Sequence, residues 1–493
     1  MTLLGIDIGT GSSKAVVTDS DGEVLTSAVC PHQTTTPQPG WFEHDPEAVW
    51  WADVLTLLAD LRTRAALQDI DAVGVSGIGP VTLVTDANDR PLRDAILYGI
   101  DTRAQAEIEA ISSELGDSTL LEATGNLLSS QAVGPKLRWI SAQEPETWSR
   151  ARRWYTASGY VVARLTGEYV VDHYTASASD PLYRLASHQW WDPGWEHSAA
   201  GLERPRLAWP AEIVGTVLPE VAHHTGLRPG TPVVAGTIDA MAEAHSVGCS
   251  AVGDTMVMYG STLFLLQVLA GPMSDPGLWA VAGLALEKFG VAAGMATSGL
   301  VTTWMADVAN SSVGDLFAEA AGVPAGSEGL VLLPYFAGER TPLFDPGARG
   351  CWLGLTLRHT RGHLARSILE GVAFGVRHNI EAMAAAGSEP RRLVAVGGGT
   401  RGDLWMQIVS DVSGLPQDVP TITVGASFGD ARLAAYALGI DTTGWNPPAR
   451  RIDPNTQVTD TYDRLYGIYR RAYTAFRDDL HRLAEESGVR DLC

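Results

Sequence analysis

Four short segments combine residue types suited to phosphate and proton chemistry. Asp7-Ile8-Gly9-Thr10-Gly11-Ser12-Ser13-Lys14 ends an apolar stretch on an acid and follows it with a Gly/Ser/Thr turn. Glycines let backbone approach a phosphate closely and expose successive N–H groups. Gly9, Thr10, Gly11, Ser12 and Lys14 are therefore candidate phosphate contacts, with Asp7 placed to hold a hydrated Mg²⁺ beside them. The run also fits a tight hairpin with a polar tip. GxxxxGK[ST] is absent and no helix follows at once, so it is neither a P-loop nor a dinucleotide fingerprint.

In Gly236-Thr237-Ile238-Asp239-Ala240 a strand ends and Asp239 opens an Ala-rich helix. Asp is a favoured N-cap. A carboxylate there could equally accept the proton of a hydroxyl that attacks a phosphoryl group. Tyr259-Gly260-Ser261-Thr262 is a second small-residue turn between strands, either an ordinary hairpin or a site whose N–H and hydroxyl groups meet a terminal phosphate. Val396-Gly397-Gly398-Gly399-Thr400-Arg401-Gly402 runs a strand into glycines at a helix start, which suits a flat ligand lying on the backbone.

These segments need strands and helices to hold them. Short apolar runs at 3–8, 15–18 and 24–28 read as a β-meander, with Asp21-Gly22 as a hairpin turn. Asp45-Pro46 caps a helix over 46–67, whose apolar residues recur at helical spacing. Strands follow at 70–76 and 81–85, then helices near 102–115 and 145–166, and an irregular stretch at 172–210. A strand is expected at 232–236, a helix from Asp239, β-rich structure over 253–285, and a strand and helix at 393–399 and 403–413. The two β-rich openings, each with a small-residue turn, suggest a duplicated architecture. Tyr462, Leu465, Tyr466, Tyr469, Tyr473, Phe476, Leu480 and Leu483 make a stripe along 459–486, with Gly488 as a stop. That stripe packs on its own chain or forms a homodimer contact. The pass divides the chain into α/β domains at 1–245 and 246–440 and a helical tail at 441–493.

Composition narrows the partners. The 493 residues carry 35 Lys+Arg against 57 Asp+Glu, a formal net charge of −22. Such a chain lacks the cations that displace phosphate counterions or hold an anionic membrane, so neither nucleic acid nor membrane is an expected partner. Cys30, Cys249, Cys351 and Cys493 lie too far apart for a disulfide framework or zinc site. Met1 leads straight into a strand pattern without a signal peptide, and no apolar run reaches about 18 residues, so the expected compartment is the cytoplasm.

Taken in order, the segments resemble the FGGY family of carbohydrate kinases, within the sugar kinase/Hsp70/actin superfamily. The resemblance rests on DIGTGSSKAVV at 7–17, PGWFEHDPEAVW at 39–50, AILYGIDTR at 95–103 and GTIDA at 236–240. It continues in LPYFAGERTP at 333–342, LEGVAFGVRHN at 369–379 and GGGTRGDLWMQIVSDVSG at 397–414. It implies an α/β fold of two ribonuclease H-like (actin-like ATPase) domains flanking a cleft, with ATP and Mg²⁺ as cofactors. Asp7 and Asp239 would lie by the metal, and Asp239 would be the catalytic base. Ser261 and Thr262 would meet the γ-phosphate, Gly299 would line the nucleotide site, and Gly398, Gly399 and Gly402 would contact adenosine. A small-molecule sugar or polyol would lie against Trp41, Tyr98, Asp101, Asp239 and the loop holding Gly79 and Pro80.

That loop, Ser76-Gly77-Ile78-Gly79-Pro80-Val81, departs from the family pattern. Typical xylulokinases read Gln-Met-His-Gly there and glycerol kinases Gln-Arg-Glu. The Arg-Glu pair that grips a triol is missing, which argues against glycerol. The whole is most similar to the xylulokinase-like branch, so the expected reaction is ATP-dependent phosphorylation of a ketopentose such as D-xylulose. The alternatives are another acceptor (ribulose, a tetritol or another polyol) or a non-metabolic actin/Hsp70-like ATPase switch.

Overall fold

The computed structural model describes residues 1–283 and 288–486. The stop expected at Gly488, Cys493, and the end of the β-rich stretch at 284–285 lie outside them. The chain forms two compact units, Met1–Ser250 with Leu269–Gly290 and Val424–Pro447, and Ala251–Val268 with Val291–Thr423 and the chain from Pro448 onward. These compact units interleave along the chain. The reason lies in helix Ala426–Ala437, which packs onto the first unit's strands, while the segment after it rejoins the second.

In the first unit the strands are β1 (Thr2–Ile8), β2 (Ser12–Asp19), β3 (Val24–Pro31), β4 (Ile70–Gly77), β5 (Ile213–Thr216), β6 (Pro232–Val234) and β7 (Thr237–Ile238). The sheet runs β5-β6-β4-β1-β2-β3, with β7 beside β4. Leu3, Leu4, Ile6 and Ile8 of β1 are fully buried, as a strand covered on both faces requires. The edge strand β3 alternates burial with exposure. In register, Asp7 lies opposite Lys14 on β2 and Ser76 on β4.

Its helices include α1 (Ala52–Leu61), α2 (Ala157–Thr166) and α3 (Asp239–Ser246). Asp45 caps as expected, accepting the Glu47 and Ala48 N–H groups at 2.8 and 2.9 Å. The helix it starts is wound wider than an α-helix over Pro46–Trp51 and ends at Leu61 rather than 67. The helix expected over 145–166 is broken. Arg153–Tyr155 is drawn out as a strand to pair with Leu83–Thr85, and Thr156 recaps the chain on the Gly159 N–H. The stretch at 172–210 contains helices His173–Ser177 and Asp192–Ser198.

The second unit's strands are β8 (Asp254–Tyr259), β9 (Leu263–Leu269), β10 (Phe289–Met295), β11 (Arg392–Val396), β12 (Gln417–Pro420) and β13 (Pro448–Ile452), in the order β10-β9-β8-β11-β12-β13. Here β8 is antiparallel to β9 and parallel to β11, just as β1 is antiparallel to β2 and parallel to β4. Each hairpin turns on small residues, so the duplication suggested by the sequence is one of strand pattern. Its helices include α4 (Gly299–Val308), α5 (Arg361–Ala385), α6 (Asp403–Ser413) and α7 (Thr459–Glu486). Tyr462, Leu465, Tyr466, Tyr469 and Leu480 of α7 are buried, while Phe476 and Leu483 are exposed. The stripe thus packs largely on its own chain. Among the described residues no helix is long and apolar enough to cross a membrane.

Glycines let backbones touch in the first unit. A Cβ on Gly5 would lie 1.9 Å from the Ser427 carbonyl, one on Gly74 2.1 Å from that of Asp430, and one on Gly429 1.9 Å from that of Ala242. Helix Ala426–Ala437 is therefore wedged against β1, β4 and α3. A backbone obstacle cannot rotate away as a side chain can. Gly74→Ala should cost at least about 1–3 kcal/mol in denaturant unfolding, whereas Gly444→Ala, whose Cβ meets nothing within 4 Å, should change little.

Candidate active site

The sheet end where β1, β4 and β7 stop gathers the acidic groups. Asp7 is the penultimate residue of β1, and Asp239 follows β7 at once. Asp239 is the first residue of α3, not its N-cap, which is Ile238 with no side-chain bond. Its Oδ1 accepts the Ala240 N–H at 2.7 Å. Of the two readings, capping loses: the carboxylate bonds only its neighbour's amide.

Asp239 feels the charge of Asp7. Burial pushes the Asp7 carboxyl up to about 6, against the pull of Lys14 and the Ser76 hydroxyl. Burial, and then the charge of Asp7, raise the Asp239 carboxyl well above the usual range. Two further acids stand close. Glu243, one turn along α3, is pushed up to about 7 by burial and by Asp7. Asp430 is raised by burial and by Asp7, although the Ser76 hydroxyl donates to its Oδ2 at 2.6 Å. Lys14 is the cation that lowers Asp7, Asp239 and Glu243 alike.

Sequence reasoning missed Ser76, Glu243 and Asp430. The available signal was a lone acid inside the small, apolar run Ala426–Ala437. It also missed Asp172, whose carboxylate accepts the Thr237 hydroxyl at 3.0 Å and so ties down the strand that delivers Asp239.

The turn after β1 holds Gly9, Thr10, Gly11 and Ser12. The Gly9 N–H donates to the Ser12 carbonyl at 3.1 Å, and a Cβ on Gly11 would meet open space. The Thr10 and Tyr98 hydroxyls lie 3.2 Å apart, which joins the turn to the expected sugar segment. A Cβ on Gly79 would lie 2.8 Å from Ile238, so the loop with Gly79 and Pro80 borders the strand leading to Asp239. Ile78 is buried, and that loop presents no polar side chain.

Asp101 does not match its expected role. It is 1% exposed, and both its oxygens are used. Oδ1 accepts the Arg103 amide and Nε–H, and Oδ2 accepts Arg103 Nη2 and the Phe42 N–H at 2.7 Å each. The Arg103 guanidinium lies 4.2 Å above the Trp41 ring. Asp101 thus clamps the Trp41 segment through Arg103 and offers no free oxygen to a sugar.

In the second unit the remaining expected residues form one group. The Gly299 N–H donates to the Gly260 carbonyl at 3.0 Å, and the Ser298 and Leu300 N–H groups donate to Ser261. Thus the start of α4 sits on the turn with Ser261 and Thr262. Gly397 has φ of 90°, and Cβ atoms on Gly397 and Gly399 would each lie 2.7 Å from Tyr259, the residue before that turn. Cβ atoms on Gly398 and Gly402 would meet nothing within 4 Å, which leaves a flat backbone surface beside them.

Because Asp7 is raised in the folded chain, it contributes stability below the ordinary aspartate range and loses it as pH rises through about 6. Asp7→Asn should therefore stabilise the ligand-free protein at pH 8 by about 2–3 kcal/mol, and by little at pH 4, measured by thermal unfolding.

The chain resembles known proteins along nearly its whole length. Residues 2–245 match the N-terminal domain of the FGGY family of carbohydrate kinases, and residues 255–438 match its C-terminal domain. Xylulose kinase of Escherichia coli (strain K12) is 32% identical over 98% of both chains. Gluconokinase of Bacillus subtilis (strain 168) is 28% identical over 94% of this chain and 91% of its own. The crystal structure of xylulose kinase from Rhodospirillum rubrum superimposes with a TM-score of 0.91 at 32% identity, covering 98% of this chain and 100% of that one. Plasmodium falciparum glycerol kinase with ADP, at 19% identity and a TM-score of 0.85 over 94% and 97%, shares the fold. These likenesses bear out the expected α/β fold with two actin-like ATPase domains and set aside the non-metabolic switch. With both domains matched along nearly its whole length, the chain belongs to the FGGY family of carbohydrate kinases.

Proposed function

We propose that this kinase phosphorylates a ketopentose such as D-xylulose with ATP, and that Asp239 is its base. The observation that carries the reading is the position of Asp239, at the open first turn of α3, with its carboxyl raised by burial and by Asp7. A base with raised proton affinity takes a hydroxyl proton more readily. The sugar oxygen then attacks the γ-phosphorus, the bond to the β-phosphate oxygen breaks, ADP leaves, and the proton rests on Asp239. Positioning and charge neutralisation account for most of the rest of such a rate.

Asp7 and Asp239 offer hard carboxylate oxygens held close in a dehydrated setting, a donor set that fits Mg²⁺, which commonly takes one or two carboxylates together with phosphate. When bound, the ion would offset negative charge on the phosphates. The turn of Gly9, Thr10, Gly11 and Ser12, with Lys14 behind it, is our candidate for phosphate. Ser261 and Thr262 are the candidates for the γ-phosphate, and Gly299, Gly398, Gly399 and Gly402 for the nucleoside. Trp41, Tyr98 and the loop with Gly79 and Pro80 are the candidate sugar contacts, with Asp101 supporting Trp41. A cytoplasmic enzyme fits this reading.

The relatives named for xylulose support D-xylulose as the acceptor. The apolar loop at 78–80 keeps ribulose, tetritols and other polyols in view, since it carries no polar side chain that would select among them. With D-xylulose, Asp239→Ala should retain ATP binding and lose at least about 10²-fold in kcat. Near-normal turnover would overturn the role. A thermal-shift panel of pentuloses, alditols and gluconate with a non-hydrolysable ATP analogue tests the acceptor. The true one, at about one hundred times its Kd, adds about 2.7 kcal/mol. The acidic limb of kcat/KM should lie near pH 6 or above, not near the ordinary aspartate value of 3.8. A limb near 3.8 would show that neither carboxyl is raised in the working enzyme.

A further inference from the structure

Three consecutive carbonyls of the first glycine turn are held from behind. Gly11 O accepts the His32 backbone N–H at 3.1 Å. Thr10 O accepts the Thr34 hydroxyl at 3.0 Å. Gly9 O lies 3.1 Å from His32 Nε2. A peptide unit is planar and trans, so its N–H points opposite to its C=O. Pinning these three carbonyls therefore turns the N–H groups of Thr10, Gly11 and Ser12 to the other side of the turn, where an anion is expected.

The pins are themselves anchored. His32 Nδ1 lies 2.7 Å from Asp53 Oδ2, on α1. Asp53 also accepts the Ser13 hydroxyl at 2.6 Å and the Cys30 thiol at 3.2 Å. The His32 and Asp53 side chains are only 6% and 8% exposed. Behind Thr34, the Trp50 indole N–H donates to His44 Nδ1 at 3.1 Å, which places the His44 proton on Nε2, 3.0 Å from the Thr34 hydroxyl. Thr34 must then accept from His44 and donate to Thr10.

His32 faces an acceptor at both ring nitrogens, a carboxylate at one and a carbonyl at the other. Nε2 donates to the Gly9 carbonyl when it carries a proton, and Asp53, which already accepts from Ser13 and Cys30, holds the ring at Nδ1. The other titratable groups packed on it are neutral. Burial, then Asp53, push the Cys30 thiol up to about 11, and burial, then His32, push His44 down to about 4. Asp53 is the charged partner that the structure shows against His32.

We propose that His32 and Asp53 form a positioning pair, in which His32, oriented by Asp53, donates from Nε2 to the Gly9 carbonyl and thereby aims the turn's N–H groups at the nucleotide phosphates. This rests on the kinase reading of the turn. Neither residue touches substrate; both act through the backbone.

The test is calorimetric titration of the full-length protein with ADP and Mg²⁺, alongside KM for the sugar. His32→Asn keeps a group near Asp53 but cannot reach Gly9, and should weaken ADP binding by about tenfold or more, the effect of one hydrogen bond. His32→Gln places an amide N–H where Nε2 stood and should recover most of that loss. The sugar KM should stay within about twofold in both. Long-range ¹H–¹⁵N spectra should show a proton on His32 Nε2 in the wild type and a loss of that preference in Asp53→Asn. A His32 Nε2 without a proton in the wild type, or equal ADP affinity in wild type and His32→Asn, overturns the pair alone. Loss of ADP and sugar affinity together, with no difference between Asn and Gln, makes the residues merely structural and also overturns it. Wild-type protein that binds no nucleotide overturns the kinase reading, and the pair with it.

Discussion

The burial of two carboxyls, Asp7 and Asp239, at one sheet end is the constraint that the rest of the first unit serves. Each sits where water is largely excluded: burial raises the Asp7 carboxyl, and burial followed by the charge of Asp7 raises that of Asp239. Left free, one of them would swing to solvent. Neither is free: Asp7 is locked in register between Lys14 and Ser76, and Asp239 follows a strand tied to Asp172 through Thr237. The fold thus stores an unfavourable interaction that a cation and a phosphate chain can relieve. Stability lost there is affinity held ready for a charged ligand.

Holding such a cluster requires short distances between backbones. Gly5 and Gly74 let helix Ala426–Ala437 lie directly on β1 and β4, and Gly429 lets the same helix touch α3. A methyl group at any of these contacts would push the helix outward and separate Asp430 from Ser76. The same device recurs in the second unit, where Gly397 and Gly399 lie against Tyr259, and Gly299 against Gly260. In both units glycine serves close approach first. Gly398 and Gly402 differ: nothing blocks a side chain there, so their smallness keeps a surface open rather than a contact close.

What the sequence disclosed follows from how local each signal is. The turns at 9–12, 260–262 and 397–399, the strand into Asp239, and the helix over 459–486 are each written in a few consecutive residues, and each appears where expected. The broken helix at 145–166 was not legible, because only pairing with the distant Leu83–Thr85 draws Arg153–Tyr155 out as a strand. The interleaved units escaped for the same reason, since a contact between residues 5 and 427 leaves no mark on neighbours in the chain. Asp101 shows the converse error. The residue stands where a sugar ligand is expected, yet its bonds to Arg103 and Phe42 are visible only once the chain is folded.

This difference also separates chemistry from specificity. Phosphate binding and proton transfer need a carboxylate at a strand end and N–H groups in a turn, which one stretch of chain can supply. The proposed sugar contacts, Trp41, Gly79, Pro80 and Tyr98, lie on three stretches set by their own supports. Arg103 carries Trp41, Ile238 bounds Gly79, and Gly99 beside Tyr98 is held by the Gln131 side chain at 3.1 Å and the Ser130 hydroxyl at 2.8 Å. A change in any support moves a wall of the sugar site without touching the catalytic acids. On the proposed assignment the acceptor can therefore change while the phosphate turn and base stay put, and the apolar run Ile78-Gly79-Pro80 is one such wall.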